Sequence, residues 1–108
     1  MSADDIKGMT LKADKLVNYQ DGSVVSREII SKETGTVTVF AFDKGQGLSE
    51  HTAPFDAIVY IIDGKAVINL DGKANEVSKD EMIIMPANKP HSLDAQEKFK
   101  MMLIMIKK

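Results

Sequence analysis

Residues 45–64 read GQGLSEHTAPFDAIVYIIDG, and residues 80–91 read DEMIIMPANKPH. Together they hold both histidines of the chain, His51 and His91. Each stretch joins a polar, turn-rich segment to a short apolar run. In the first, the run is rich in β-branched residues, which suit a strand. It closes on Asp63-Gly64, a hairpin signal, because glycine tolerates positive φ and aspartate closes a tight turn. Asp21-Gly22 and Asp71-Gly72 carry the same signal.

Working outward, the pattern stays strand and turn. Residues 24–31 and 35–43 read as strands, the second dense in β-branched and aromatic side chains. Residues 57–62 and 65–70 follow, with Asp63-Gly64 expected to join them as a hairpin. Residues 75–77, 82–85, 91–94 and 98–106 complete the series. No stretch sustains the 3.6-residue period of a long amphipathic helix. Many short strands at regular turn spacing predict an all-β sandwich or barrel. Residues 1–10 show no period and read as a loose start. No repeat, low-complexity tract or linker suggests a boundary, so one domain over 1–108 is expected. From Met101 the last strand is apolar at both parities, which predicts burial on both faces. In so small a domain, a second subunit is the expected cover.

Composition narrows the function classes. The 108 residues contain no cysteine, which excludes disulfides, thiolate metal sites and cysteine nucleophiles. Fourteen basic and sixteen acidic residues give a net charge of −2, which argues against a nucleic-acid partner. No apolar run approaches the roughly 20 residues that span a bilayer, and the start, with Asp4 and Asp5, has no signal-peptide core. A cytoplasmic protein without a membrane partner is the expectation. No nucleophile elbow or phosphate-binding glycine loop is present.

The two opening stretches resemble the paired signature motifs of the cupin superfamily. The first family motif runs from a glycine through five residues to His-x-His, then to a third ligand and a closing glycine. Gly45, His51 and Gly64 fill the frame, while Ala53 stands at the second histidine and Ala57 at the third ligand. In the second motif, Pro86, Asn88 and His91 fill the expected places and Asp80 replaces the opening glycine. The resemblance covers about residues 20–106. It implies a cupin-type jelly-roll β-barrel, the double-stranded β-helix, with a degenerate metal-binding motif.

That departure sets the functional expectation. Alternation points His51 and position 53 to the same side of a strand, and Ala57, Val59 and Ile61 share a parity facing the interior. Imidazoles and a carboxylate converging on one point hold a transition metal, but alanine offers no lone pair. Asp56 neighbours the third position and should point elsewhere. His51, His91, Ala53, Ala57, Val59 and Ile61 are therefore read as ligand-binding residues of a small-molecule pocket. Core filling is an equal reading for Val59 and Ile61. No catalytic residue is singled out and no cofactor is required. The alternative is a metal-dependent cupin enzyme of the dioxygenase, isomerase or decarboxylase type. In it, a divalent transition metal would sit on His51 and His91, with water or substrate as the remaining ligands. An unidentified small molecule and a homodimer are the expected partners. Glu50 and Tyr60 fall on the parity facing away from the interior.

Overall fold

The computed structural model describes residues 6–108. Eight strands form: β1 Val24–Lys32, β2 Gly35–Phe42, β3 Gly47–His51, β4 Ala57–Leu70, β5 Lys73–Ser78, β6 Met82–Met85, β7 His91–Asp94 and β8 Phe99–Ile106. A short 3-10 turn, Ala13–Lys15, precedes them. The all-β expectation holds. All strand pairs are antiparallel, in the order β1-β2-β8-β4-β7-β3, with β5 and β6 also on β4.

The long strand β4 makes this a rolled double sheet. Its first half pairs with β8 and β6, and its second half pairs with β5 and β7. The expected hairpin at Asp63-Gly64 is not there: β4 runs through both residues. A bulge between Ile61 and Asp63 inserts one extra residue against β8, and Gly64 takes φ +74. The bulge switches the inward parity. Ala57, Val59 and Ile61 face inward before it, and Ala66 and Ile68 after it, all almost fully buried. Gly64 also lies against β8, where an added Cβ would run into the Lys98 carbonyl oxygen and Phe99. The dipeptide therefore signals positive φ correctly but bends the strand between the sheets and does not reverse it.

Asp71-Gly72 does form the expected two-residue hairpin. Both residues have positive φ, and Leu70 pairs with Lys73 across the turn. Asp21-Gly22 forms a turn ahead of β1 but joins no strand pair. The β1–β2 hairpin instead turns at Glu33 and Thr34, with Lys32 opposite Gly35. The loose start expected at residues 1–10 is corrected from Ile6 onward. Ile6 is buried, and its carbonyl accepts the Met9 amide. Residues 1–5 lie outside the described set.

The core between the sheets gathers Phe42, Val59, Ile61, Ile68, Leu93, Phe99 and Met101. Phe42 stacks on Phe99 at 4.6 Å between centroids and on Phe40 at 5.8 Å. A second cluster forms on the outer face, where Val17, Leu16 and Tyr19 cover Val39, Ala41 and Ile62. Two polar contacts fasten this N-terminal segment. The Tyr19 hydroxyl donates to Asp63 at 2.6 Å, and the Lys100 ammonium donates to the Asp14 carbonyl at 2.6 Å. The burial expected on both faces from Met101 onward is met at Met101 alone: residues 102–105 are half-buried and Ile106 is exposed.

Candidate functional site

β3 carries His51 at its end and β7 carries His91 at its start, so antiparallel pairing makes the two direct cross-strand partners. A bulge on β3 between Leu48 and His51 adds one residue there. The β3 sequence GLSEH lacks the usual strand formers; pairing with β7 imposes its extended state. On its other side His91 pairs with Leu70, and Leu93 pairs with Ile68. His91 therefore shares the inward face of the sheet with Leu93 and is itself buried, while His51 stays exposed. The pair therefore runs from a buried ring to an exposed one.

The hydrogen bonds fix the chemical character of the pair. His51 Nδ1 lies 2.8 Å from the Ser49 carbonyl, and His91 Nδ1 lies 3.1 Å from the Lys89 carbonyl. A carbonyl oxygen only accepts, so each Nδ1 carries the proton and donates. The two Nε2 atoms lie 3.1 Å apart, with the rings edge-on at 70°. Two lone pairs at that distance repel unless a hydrogen or a cation lies between them. The arrangement brings two ring nitrogens to one point.

The loop that delivers His91 is pinned from the β3–β4 connection. The Asn88 amide donates to the Ala53 carbonyl at 2.7 Å, and the Ala87 amide donates to Asp56 Oδ1 at 2.8 Å. Asn88 takes φ +68, as does Asp80 at the start of the stretch. Asparagine and aspartate tolerate that region best after glycine, which is why Asp80 serves where a glycine is usual. Asp56 does not cluster with the two histidines. Its positioning role was not legible, because it depends on a loop 31 residues away.

The structure brings His51 and His91 together and places Ala53 in the loop beside them, half-buried. Strand β3 has ended by Ala53, so the shared parity of 51 and 53 does not extend across a continuous strand. Ala57, Val59 and Ile61 lie together in the packed core with Met85 and Met101. Val59 and Ile61 have no exposed surface and fill the barrel.

A metal can be tested against these donors. Zinc–imidazole bonds of about 2.1 Å would let two nitrogens 3.1 Å apart share one ion. Ala53 and Ala57 supply no further donor, and no group of three or more His, Cys, Asp or Glu side chains converges among the described residues. A protein site needs three or four donors to hold such an ion tightly, so this set does not fit a resident metal.

The cupin domain family model matches residues 38–107. The chain belongs to the cupin family. Solved structures agree with that membership. This cupin is 35% identical to a conserved protein of unknown function from Streptococcus pyogenes. The match covers 94% of this chain and 89% of that one, with a TM-score of 0.89. It is 41% identical to a cupin 2 conserved barrel domain protein from Leptotrichia buccalis, over 87% of this chain and 46% of that one, with a TM-score of 0.85. The cupin thus spans about half the length of that relative. A cupin superfamily protein from Desulfitobacterium hafniense, 24% identical over 94% of both chains, has the same fold at a TM-score of 0.89. No curated protein matches the chain. No helix among the described residues is long and apolar enough to cross a membrane.

Proposed function

We propose that this cupin binds a small organic molecule at the His51–His91 pair. The observation that supports it is the convergence of the two Nε2 atoms at 3.1 Å, with each Nδ1 beside a backbone carbonyl. A ligand hydroxyl, ammonium or acid group placed at that point hydrogen-bonds to the two ring nitrogens. Apolar walls with a few placed polar groups are the usual make-up of a small-molecule site. Ala53 lines the mouth, while Ala57, Val59 and Ile61 form the packed floor. The protein works in the cytoplasm as a homodimer, with neither nucleic acid nor membrane as partner.

A panel of small polyols, amines and carboxylic acids, screened by ligand-observed NMR, tests this reading. Binding of at least one class, lost in both His51→Ala and His91→Ala, is expected. Binding that survives both substitutions would move the site elsewhere.

The 3.1 Å separation also supports a second reading, a metal-dependent cupin enzyme. The two histidines would then provide only part of the coordination, with water or substrate completing it. The metal would supply Lewis-acid or oxygen chemistry.

A further inference from the structure

One buried side-chain polar atom stands without a hydrogen-bond partner among the described residues, the Thr36 hydroxyl oxygen. The residue is 7% exposed, and the oxygen itself is closed off from solvent. Most buried hydroxyls are hydrogen-bonded, and one that is not costs stability. Threonine suits strand β2 because it is β-branched, but valine would suit it equally without that cost. The hydroxyl therefore calls for a use.

Strand register shows which way it points. Thr36 pairs with Met105 of β8, Met105 with Ala57 of β4, and Ala57 with Met85 of β6. Residues paired across neighbouring strands share a face. Ala57 and Met85 belong to the core between the sheets, and Met105 packs against it. The row from Thr36 to Met85 therefore faces the barrel interior.

That row lies at the same end of the barrel as the two histidines. β3 ends at His51 and β4 begins at Ala57, while β6 ends at Met85 and β7 begins at His91. Both connections are short, and the Asn88–Ala53 and Ala87–Asp56 hydrogen bonds tie them to each other. β8 is fastened at the same end, where the Ile106 amide donates to the Asp56 carbonyl at 3.2 Å. One wall of this end carries the two imidazoles, and the other carries Thr36. Along the second wall lie the Ala57 methyl group and two methionines, whose unbranched side chains adapt to what they pack against.

We propose that Thr36 is the second anchor of the molecule held at the His51–His91 pair, and that this ligand is elongated, with a hydrogen-bonding group at each end and an apolar chain between them. The proposal rests on the small-molecule reading above and adds the ligand class of that same site. One head lies on the two imidazoles. A distal hydroxyl meets the Thr36 oxygen, with half-buried Met105 moving aside to admit it. A hydroxyl both donates and accepts, so it pairs with the threonine hydroxyl in either direction. Facing sheets stand about 10 Å apart, so several carbons separate the two heads. A buried hydroxyl left unpaired by the wrong ligand selects for the one that pairs it.

Ligand-observed NMR titrations of three matched pairs test it: hexanediol against hexanol, aminohexanol against hexylamine, and hydroxyhexanoic acid against hexanoic acid. The members of each pair differ only in a terminal hydroxyl. In the wild type the hydroxylated member of at least one pair is expected to bind about tenfold tighter. Thr36→Val keeps the branched shape and removes the oxygen. It is expected to erase that preference, to leave the other member's affinity unchanged, and to raise the thermal midpoint by a few degrees. Thr36→Ser is expected to keep the preference. A preference that survives Thr36→Val would overturn the proposal. Equal binding of both members, lost in His51→Ala and His91→Ala, would overturn it and leave the histidine reading standing. A lowered midpoint in Thr36→Val would show that the hydroxyl already has a partner, and would overturn it too. Binding by none of these compounds would also overturn it; the broader panel of polyols, amines and acids then decides whether the histidine reading falls as well.

Discussion

The Nε2 atoms of His51 and His91 lie 3.1 Å apart while each ring's other nitrogen is held by the carbonyl two residues before it. The same short local motif is thus used twice, on facing strands, and it leaves both Nε2 atoms pointing at one spot. The two rings differ in burial, which separates their contributions to stability from their contributions to binding. His91→Ala should cost about 1–3 kcal/mol in urea unfolding, through lost packing and an orphaned carbonyl. His51→Ala should stay within about 0.5 kcal/mol, as exposed substitutions do. Both should abolish ligand binding. Equal destabilisation by the two would show that the pair serves the core and not a ligand.

Gly64 makes a different demand. Its φ of +74 and its closeness to the Lys98 carbonyl leave no room for a methyl group. Gly64→Ala should destabilise by about 1–3 kcal/mol. Gly72→Ala, with a similar φ but nothing near its Cβ position, should cost less. Thermal melts of the two variants compare the crowded site with the open one, and a smaller loss at Gly64 would contradict the bulge geometry.

Tyr19 and Tyr60, the two tyrosines of the chain, should ionise late. Burial and then the hydrogen bond to Asp63 push the Tyr19 phenol up, and the hydrogen bond to Asp80 pushes the Tyr60 phenol up. A folded value raised above the unfolded one gives stability that is complete below about pH 10 and lost as the pH climbs further. In an alkaline absorbance titration both phenols should lag behind free tyrosine, with Tyr19 later than Tyr60. Tyr19→Phe should remove the later step. A normal titration for the remaining tyrosine of Tyr60→Phe would show that Tyr19 is not latched to Asp63.

Asp43 works at the acid end. Its carboxylate accepts the Gly22 amide at 2.7 Å, and that bond, followed by the Lys44 amide, holds its carboxyl below the usual carboxylate range. A depressed folded value gives stability that is present above about pH 4 and lost as the pH falls through the folded value. Asp43→Asn should lower stability at neutral pH and flatten its decline in acid. Urea midpoints between neutral pH and acid measure both effects, and an unchanged acid slope would contradict the assignment.

The fold was legible because its signals are local. The segments 82–85 and 91–94 became β6 and β7 at their expected limits, and Asp71-Gly72 turned as its two residues require. Asp63-Gly64 carried the same signal and was misread, because positive φ fits both a reversal and a bulge. What decides between them is Phe99 and Lys98, which pack against Gly64 from the far end of the chain. Strand β3 was missing from the expected series for the same reason, since its extended state comes from β7. At the site, the loss of donors at Ala53 and Ala57 was readable from their place in the motif. The orientation of the two imidazoles was not, because it depends on the Ser49 and Lys89 carbonyls.

The central claim is that two imidazoles without a third donor make a site for an organic ligand and not for a resident ion. Elemental analysis of protein purified without chelator tests it most directly. The account predicts far less than one transition-metal ion per chain, readily removed by dialysis. One tightly held ion per chain, lost on His51→Ala or His91→Ala, would contradict it.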